Sequence, residues 1–94
     1  MDDIIYLGNL YDYYESLLTE KQKNYFKEYY FKNLSLKEIS ENNNVSRNAV
    51  YKQIKEVVNK LNYYEKNLNL YEKSLKIKKI IKNLKEKEEI EKLI

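Results

Sequence analysis

The chain contains no cysteine, no histidine and no proline, and only one glycine. Without cysteine there are no disulfides, no thiolate metal ligands and no thiol nucleophile. Without histidine the usual imidazole acid–base chemistry near neutral pH is excluded. Carboxylates remain, but no glycine-rich phosphate loop and no paired-acid motif accompanies them. No residue set supplies a nucleophile with its base, so the chain reads as a non-enzymatic protein without metal or cofactor. The scarcity of glycine and proline starves β-turns and hairpins and favours long helices. No apolar run approaches the ~20 residues that cross a bilayer. The acidic start "MDDII" also lacks the apolar stretch of a secretory signal. These absences predict a cytoplasmic chain without membrane insertion.

What is present is charge, tyrosine and asparagine. A length of 94 residues predicts one compact domain. Its core is small enough for partner contacts to add to its stability. Hydrophobic residues make up 43% and charged residues 35%, the balance of a soluble helical protein with heavily charged outer faces. The eleven tyrosines, with abundant Lys, Asn and Ile, are the composition of an AT-rich genome. Net charge is +3, distributed unevenly. Residues 1–34 carry four Lys and six acids, residues 35–67 six basic and four acidic side chains, and residues 68–94 eight Lys and five acids. The front is mildly acidic and the rest mildly basic, which gives weak steering toward nucleic acid.

Apolar spacing of three and four predicts helices. Ile4, Leu7, Tyr11, Tyr14 and Leu18 mark a first helix over about 3–17, with Leu10 and Leu17 widening its stripe. Gly8 is a tolerated helix residue or a point of close approach. "TEKQ" at 19–22 is a capping box: Thr19 accepts from the Gln22 amide and Gln22 reaches back to Thr19. A second helix runs from there to about Lys32 and buries Tyr25, Phe26, Tyr29 and Tyr30. "SLKE" at 35–38 repeats the chemistry with Ser35 and Glu38. It opens a short third helix, about 36–42, with Leu36 and Ile39 inward.

Then comes "ENNNVSRNAVY". Asn tolerates a left-handed backbone better than other non-glycine residues. Asn44 in that conformation makes a tight turn, Val45 plugs the corner and Ser46 caps the next helix. That helix spans about 47–67. Val50, Ile54, Val57, Leu61, Tyr64 and Leu68 face inward, and Asn48, Lys52, Lys55 and Asn59 face outward. Ala49 suits tight packing near the turn. Short helix, three-to-four-residue turn and longer helix form a helix-turn-helix. Residues 69–94 continue as a further helix dense in Lys and Glu, with a partial stripe of Leu70, Ile77, Ile80, Ile81 and Leu84. "KEKEE" interrupts that stripe before Ile90, Leu93 and Ile94 resume it. The organisation is thus a helix-turn-helix core over 1–68 and a charged C-terminal helix over 69–94.

The run "SLLTEKQ", "YY…LSLKEI" and "VSRNAVY…IK", in that order, resembles the YlxM-like family of small bacterial proteins from about Tyr6 to Leu70. The resemblance implies an all-α fold: a bundle like region 4 of sigma factors, carrying a helix-turn-helix, here with an extra C-terminal helix. It further implies a regulatory role and a link to the signal recognition particle pathway, because genes of this family commonly neighbour those of its components. Three positions depart from the family pattern. Asn44 stands where glycine is common, Ser40 where Ala follows "EI", and Asn48 where Gln is frequent after "VSR".

The candidate nucleic-acid face is Ser46, Arg47, Asn48, Tyr51, Lys52 and Lys55. The first turns of the second helix of such a motif enter the major groove. Arg pairs bidentately with guanine and Asn with adenine, and Ser46 with the helix N-terminus suits a phosphate. The alternative is a solvated polar face in which Ser46 only caps. Acids at Glu38, Glu41 and Glu56 lie nearby and repel phosphate. Tyr25, Tyr29 and Tyr30 are base-stacking platforms or, by their spacing, amphipathic core. Of Tyr63 and Tyr64 one is expected to be exposed. Lys76, Lys78, Lys79, Lys82 and Lys85 form a phosphate-binding patch or a solvated face with Glu–Lys pairs. The leftover Ile residues of that helix suit a second chain, so a homodimer is expected. The functional readings are therefore a DNA- or RNA-binding regulator and a protein–protein adaptor that keeps the fold without the nucleic-acid contact.

Overall fold

A computed structural model of the protein describes residues 3–93. It is all-helical among those residues: α1 (Ile4–Tyr14), α2 (Glu20–Phe26, extended to Phe31), α3 (Leu36–Asn43), α4 (Arg47–Leu68) and α5 (Leu70–Leu93). Ile94, expected to end the last apolar stripe, lies outside the described residues.

Local side-chain chemistry sets the helix starts. Asp3 accepts from the Ile5 amide at the head of α1. Both predicted capping boxes form: Thr19 with Gln22 and Ser35 with Glu38, each with its two reciprocal bonds at 3.1–3.2 Å. Such caps are worth about 1 kcal/mol each. α1 ends earlier than its periodicity predicts. It closes at Tyr14 and passes into a single 3₁₀ turn over Glu15–Leu17. Leu17 therefore leaves the apolar face and is exposed, as is Ile4. A Cβ at Gly8 would meet only the Phe31 ring at 3.5 Å, ordinary contact, so glycine is tolerated there and not required.

α2 continues past Phe26 with wider, π-type hydrogen bonding over Lys27–Phe31, seen in the Lys32 amide bonding to the Lys27 carbonyl at 2.9 Å. That register brings residues five apart onto one side. Phe31 thereby reaches the edge of Phe26, with ring centroids 5.5 Å apart, and of Tyr11 at 5.5 Å. Asn33, left-handed at φ 56°, follows the end of this helix.

Two apolar clusters make the core, and α4 runs through both. Leu7, Leu10, Tyr11, Tyr14, Leu18 and Phe26 pack with Val57, Val58 and Leu61. Tyr25 and Ile39 pack with Val50 and Ile54, closed over by Tyr29, Leu34, Leu36 and Val45. Tyr25 is buried and Tyr29 and Tyr30 are half-buried, so this tyrosine stripe is core. Tyr64 packs against the core and Tyr63 is exposed, as expected of that pair. Leu68, expected inward, is exposed: it is the last residue of α4 and belongs to neither apolar cluster.

α5 leaves α4 through Asn69, left-handed at φ 55°. Its first turn is held by a buried carboxylate. Glu65 Oε1 accepts from the Tyr71 amide at 3.1 Å and Oε2 from the Glu72 amide at 3.0 Å. The Tyr14 hydroxyl donates to Glu65 Oε1 at 2.6 Å and accepts from the Leu70 amide at 3.1 Å. Tyr13 also donates to Ser74 at 2.6 Å. Beyond that point α5 buries no residue and projects, which stretches the molecule to 66 × 26 × 23 Å.

Candidate nucleic-acid interface

The backbone of the corner between α3 and α4 is closed by neighbouring residues, and the Asn43 side chain ties it to α2 by donating to Glu28 at 3.2 Å and to the Ile39 carbonyl at 2.8 Å. Asn44 adopts φ 54°, ψ 45°, the left-handed conformation that only glycine and asparagine enter readily. The Val45 amide bonds to the Ser40 carbonyl at 3.0 Å and the Asn44 amide to Glu41 at 3.4 Å. This is a Schellman closure with asparagine in the glycine position. Val45 is half-buried against Ile39 and Val50, and plugs the corner. Ser40, in place of alanine, is buried because its hydroxyl turns back to the Lys37 carbonyl at 2.7 Å. Ser46 then caps α4, accepting from the Ala49 amide at 3.1 Å. Ala49 itself is exposed, so its small size serves no packing at the turn.

All six candidate residues, Ser46, Arg47, Asn48, Tyr51, Lys52 and Lys55, are exposed. They occupy the first three turns of α4. Asn48, Lys52, Lys55 and Asn59 lie on the side opposite Val50, Ile54, Val57 and Leu61, as a 3.6-residue repeat requires. The stripe runs on through Asn62 and Lys66, also exposed, which the candidate set omitted although the same repeat points to them. Arg47 sits at the first helical position. Tyr51 stands at the flank, where it borders a groove of about 200 Å³ with Tyr29, Tyr30, Leu36, Ile54 and Val58. Lys55 Nζ lies 5.9 Å from the Tyr51 ring centroid, so that ring carries a cation on its face.

Charge around this face is less balanced than the sequence suggests. Among the described residues neither Arg47, Lys52 nor Lys55 has a carboxylate within 4.0 Å. Of the three acids expected to oppose phosphate, Glu38 is taken up by the Ser35 amide and Glu56 lies 3.9 Å from Lys60. Glu41 alone of the three has no side-chain partner among the described residues. The helix starts differ too. Asp3 caps α1, and Glu20, Glu38 and Glu72 sit in the first turns of α2, α3 and α5. The first turn of α4 holds no acid and begins with Arg47. A cation there opposes the helix dipole at a cost of about 0.3–1 kcal/mol. The Arg47 and Asn48 amides are free of intrahelical acceptors, as the first amides of any helix are. Arginine and open amides together form a place for an anion.

Among the described residues no group of three or more His, Cys, Asp or Glu could hold a metal, and no helix is long and apolar enough to cross a membrane.

A helical bundle whose third and fourth helices meet at a closed corner, with the fourth carrying the polar outer stripe, is a helix-turn-helix protein. The whole chain, residues 1–94, matches the UPF0122 family, described as "Putative helix-turn-helix protein, YlxM / p13 like", and it belongs to that family. A curated UPF0122 protein of Fusobacterium nucleatum is 44% identical over 97 residues, covering 100% of this chain and 94% of the relative. A UPF0122 protein of Halalkalibacterium halodurans is 44% identical over 86 residues, 92% of this chain and 79% of the relative. The UPF0122 protein YlxM of Bacillus subtilis is 45% identical over 95 residues, 94% of this chain and 86% of the relative.

Proposed function

We propose that this protein is a non-enzymatic regulator that binds nucleic acid, duplex DNA or structured RNA, through the outer face of α4. The observation that carries the proposal is Arg47 at the head of α4, in a first turn free of acids. Arginine at that end is unfavourable for the isolated helix and favourable once a phosphate sits on it. Lys52, Lys55 and Lys66 continue the positive line down the same side. Asn48 is placed to read a base edge, where asparagine selects adenine. A role beside the signal recognition particle enters the proposal by family resemblance alone.

The test is a salt titration of binding to duplex DNA and to a small structured RNA. Each neutralised phosphate contributes about −0.9 to the slope of log K against log salt on duplex. Arg47→Ala and Lys52→Ala are each expected to lower that slope by about one, without destabilising the fold. Asn48→Ala is expected to flatten sequence preference and leave the slope unchanged. Absence of binding to both nucleic acids at low salt would sink the proposal. The adaptor reading, with this fold but no nucleic-acid contact, would then take its place.

A further inference from the structure

A cleft of about 200 Å³ opens on one flank of α4, beside the outer stripe. Tyr51 and Lys55 of α4, Leu36 of α3, and Tyr29 and Tyr30 of α2 wall it, over the buried Ile54. Tyr29 and Tyr30 come from the π-type turn of α2 and are half-buried, so each packs partly on the core and leaves the rest to the cleft. Such turns frequently accompany functional sites. Tyr51 is 50% exposed, a large ring left in water beside a polar face. Charge sets this cleft apart. One cleft, at Ile4 and Tyr29, carries Glu38 in its wall, and another, at Tyr6 and Tyr71, carries Glu65 and Glu72. The cleft at Tyr51 holds a lysine and no acid. Glu56 stands about 140° around α4 from Tyr51, on the other flank, where it lies 3.9 Å from Lys60.

We propose that this cleft receives one unpaired base of a folded RNA whose paired segment lies on the outer face of α4, which rests on the assignment of that face to nucleic acid. A slot with aromatic and aliphatic walls suits the flat faces of a base, and stacking on aromatic rings tolerates any sequence. A cleft of this volume takes a single base and excludes a base pair. Lys55 joins the two parts of the site. Its Nζ rests 5.9 Å from the Tyr51 ring centroid with no carboxylate within 4.0 Å among the described residues. An exposed contact of that kind is weak, so the ammonium can turn onto the phosphate of the extruded nucleotide. Arg47 and Lys52, exposed on the same helix, hold phosphates of the paired segment. An apolar side chain of a protein would fill the same walls but gains nothing from a lysine on an acid-free rim. A base carried on a phosphate gains from both. RNA is the source, because bulged and looped nucleotides are part of its folded structure and are what proteins read in it, whereas duplex DNA keeps its bases paired.

The probe is a short RNA hairpin with a single bulged nucleotide carrying the fluorescent base 2-aminopurine. It is set beside the same hairpin fully paired, the same hairpin with an abasic bulge, and a DNA hairpin with the same bulge. Titrated with the full chain at low salt, the bulged RNA is expected to bind about tenfold more tightly than the paired and abasic ones, the worth of one base–aromatic stack. Its emission should fall as the base stacks. Tyr51→Ala should bring the ratio of bulged to paired affinity close to one, and Tyr51→Phe should keep it. Both variants should fold, since the site is exposed, and circular dichroism checks this. Lys55→Ala should lower the salt slope for the bulged RNA by about one. If the paired hairpin binds as tightly as the bulged one, α4 still meets RNA but the cleft is no base site and is left to an apolar side chain of a protein. An abasic bulge that binds as well as the base-carrying one would also overturn the proposal, because flexibility and not the base is then recognised. A DNA bulge that binds more tightly than the RNA one would overturn the assignment to RNA. If no hairpin binds at low salt, the α4 face loses its nucleic acid and the base site falls with it.

Discussion

α4 is entered and left through a left-handed asparagine, Asn44 at φ 54° and Asn69 at φ 55°, yet the two corners are held in different ways. The backbone of the first is closed by its own neighbours, Ser40, Glu41, Val45, Ser46 and Ala49, with one longer-range bond from the Asn43 side chain to Glu28 at 3.2 Å. The second has only the Asn69 amide bonded to Glu65 at 2.8 Å as local closure. The rest depends on the Glu65 side chain, which is fixed by Tyr14, 51 residues away in sequence. A corner whose backbone bonds are local depends little on remote parts of the chain. A corner closed through Tyr14 exists only while α1 is packed. The geometry of the α4 face thus rests mainly on local bonds, while the direction of α5 depends on the packed core.

The strongest way to break this contrast is Glu65→Ala. It strands the Tyr14 hydroxyl and the Tyr71 and Glu72 amides, all at least half-buried or in the helix's first turn. Leaving a buried donor unsatisfied costs about 1–3 kcal/mol, so a loss on the order of 3 kcal/mol is expected. For a domain of this size that lowers the melting temperature by roughly 15 °C. Glu65→Gln keeps one acceptor oxygen and should fall between. Thermal and urea unfolding followed by circular dichroism measure both; a Glu65→Ala protein within about 0.5 kcal/mol of the parent would show that α5 is not held this way.

The same contrast explains what could be read from the sequence. Thr19–Gln22, Ser35–Glu38, Asn44 and Ser46 were legible because capping and turn chemistry act over three or four residues. The inward stripe Val50, Ile54, Val57, Leu61 and the outward Asn48, Lys52, Lys55 were legible because the 3.6-residue repeat is local too. Glu65 was not. It sits in "NYYEKNL", which reads as an ordinary charged surface, and its partner Tyr14 is remote in sequence. The π-type end of α2 was hidden for a similar reason, since it answers to the packing of Phe31 on Tyr11 and Phe26. Leu17, Ala49 and Leu68 fit their helical pattern but lie where no neighbouring element covers them. At the α4 face the residue positions followed from the repeat. The absence of nearby carboxylates did not, because Glu38 and Glu56 look free until their partners are seen.

Next in size is Tyr14→Phe, which removes one bond to a carboxylate and one from the Leu70 amide. A loss of about 1.5 kcal/mol is expected, the range for bonds to charged groups. It also has a pH signature. Burial, and then the bond to Glu65, push the Tyr14 hydroxyl above its ordinary 10.0, with the Leu70 amide opposing. A folded-state value above the unfolded one means that the stability from neutral Tyr14 is complete below about pH 10 and is lost as pH rises through the folded-state value. Tyr6 and Tyr11 shift in the same direction, both led by burial. The parent should therefore lose stability above pH 10, and Tyr14→Phe should lose less. An unchanged alkaline slope in the variant would remove Tyr14 from the account.

The local corner should respond more weakly and with a different fingerprint. Asn44→Ala puts a β-carbon into a left-handed position without asparagine's compensating local bonds, at a cost of about 1 kcal/mol. Asn44→Gly should be neutral or slightly stabilising, since glycine enters this conformation without strain. If alanine and glycine behave alike in urea unfolding, the corner is not governed by the backbone of residue 44.

The smallest effect expected is a gain, and it serves as the control for Tyr14. Tyr11 lies one turn earlier on α1, buried, with its ring stacked on Phe26 at 4.8 Å between centroids and parallel to it. Its hydroxyl is buried without a hydrogen-bond partner among the described residues. Tyr11→Phe keeps the stack and removes a desolvated hydroxyl, so stability should rise by less than about 1 kcal/mol. The same substitution, three positions apart on one helix, is thus expected to have opposite signs. The sign is set by whether the hydroxyl meets Glu65 or meets nothing. A loss at Tyr11 as large as that at Tyr14 would mean that burial of the tyrosine body, and not the bond to Glu65, is what the Tyr14 variant reports.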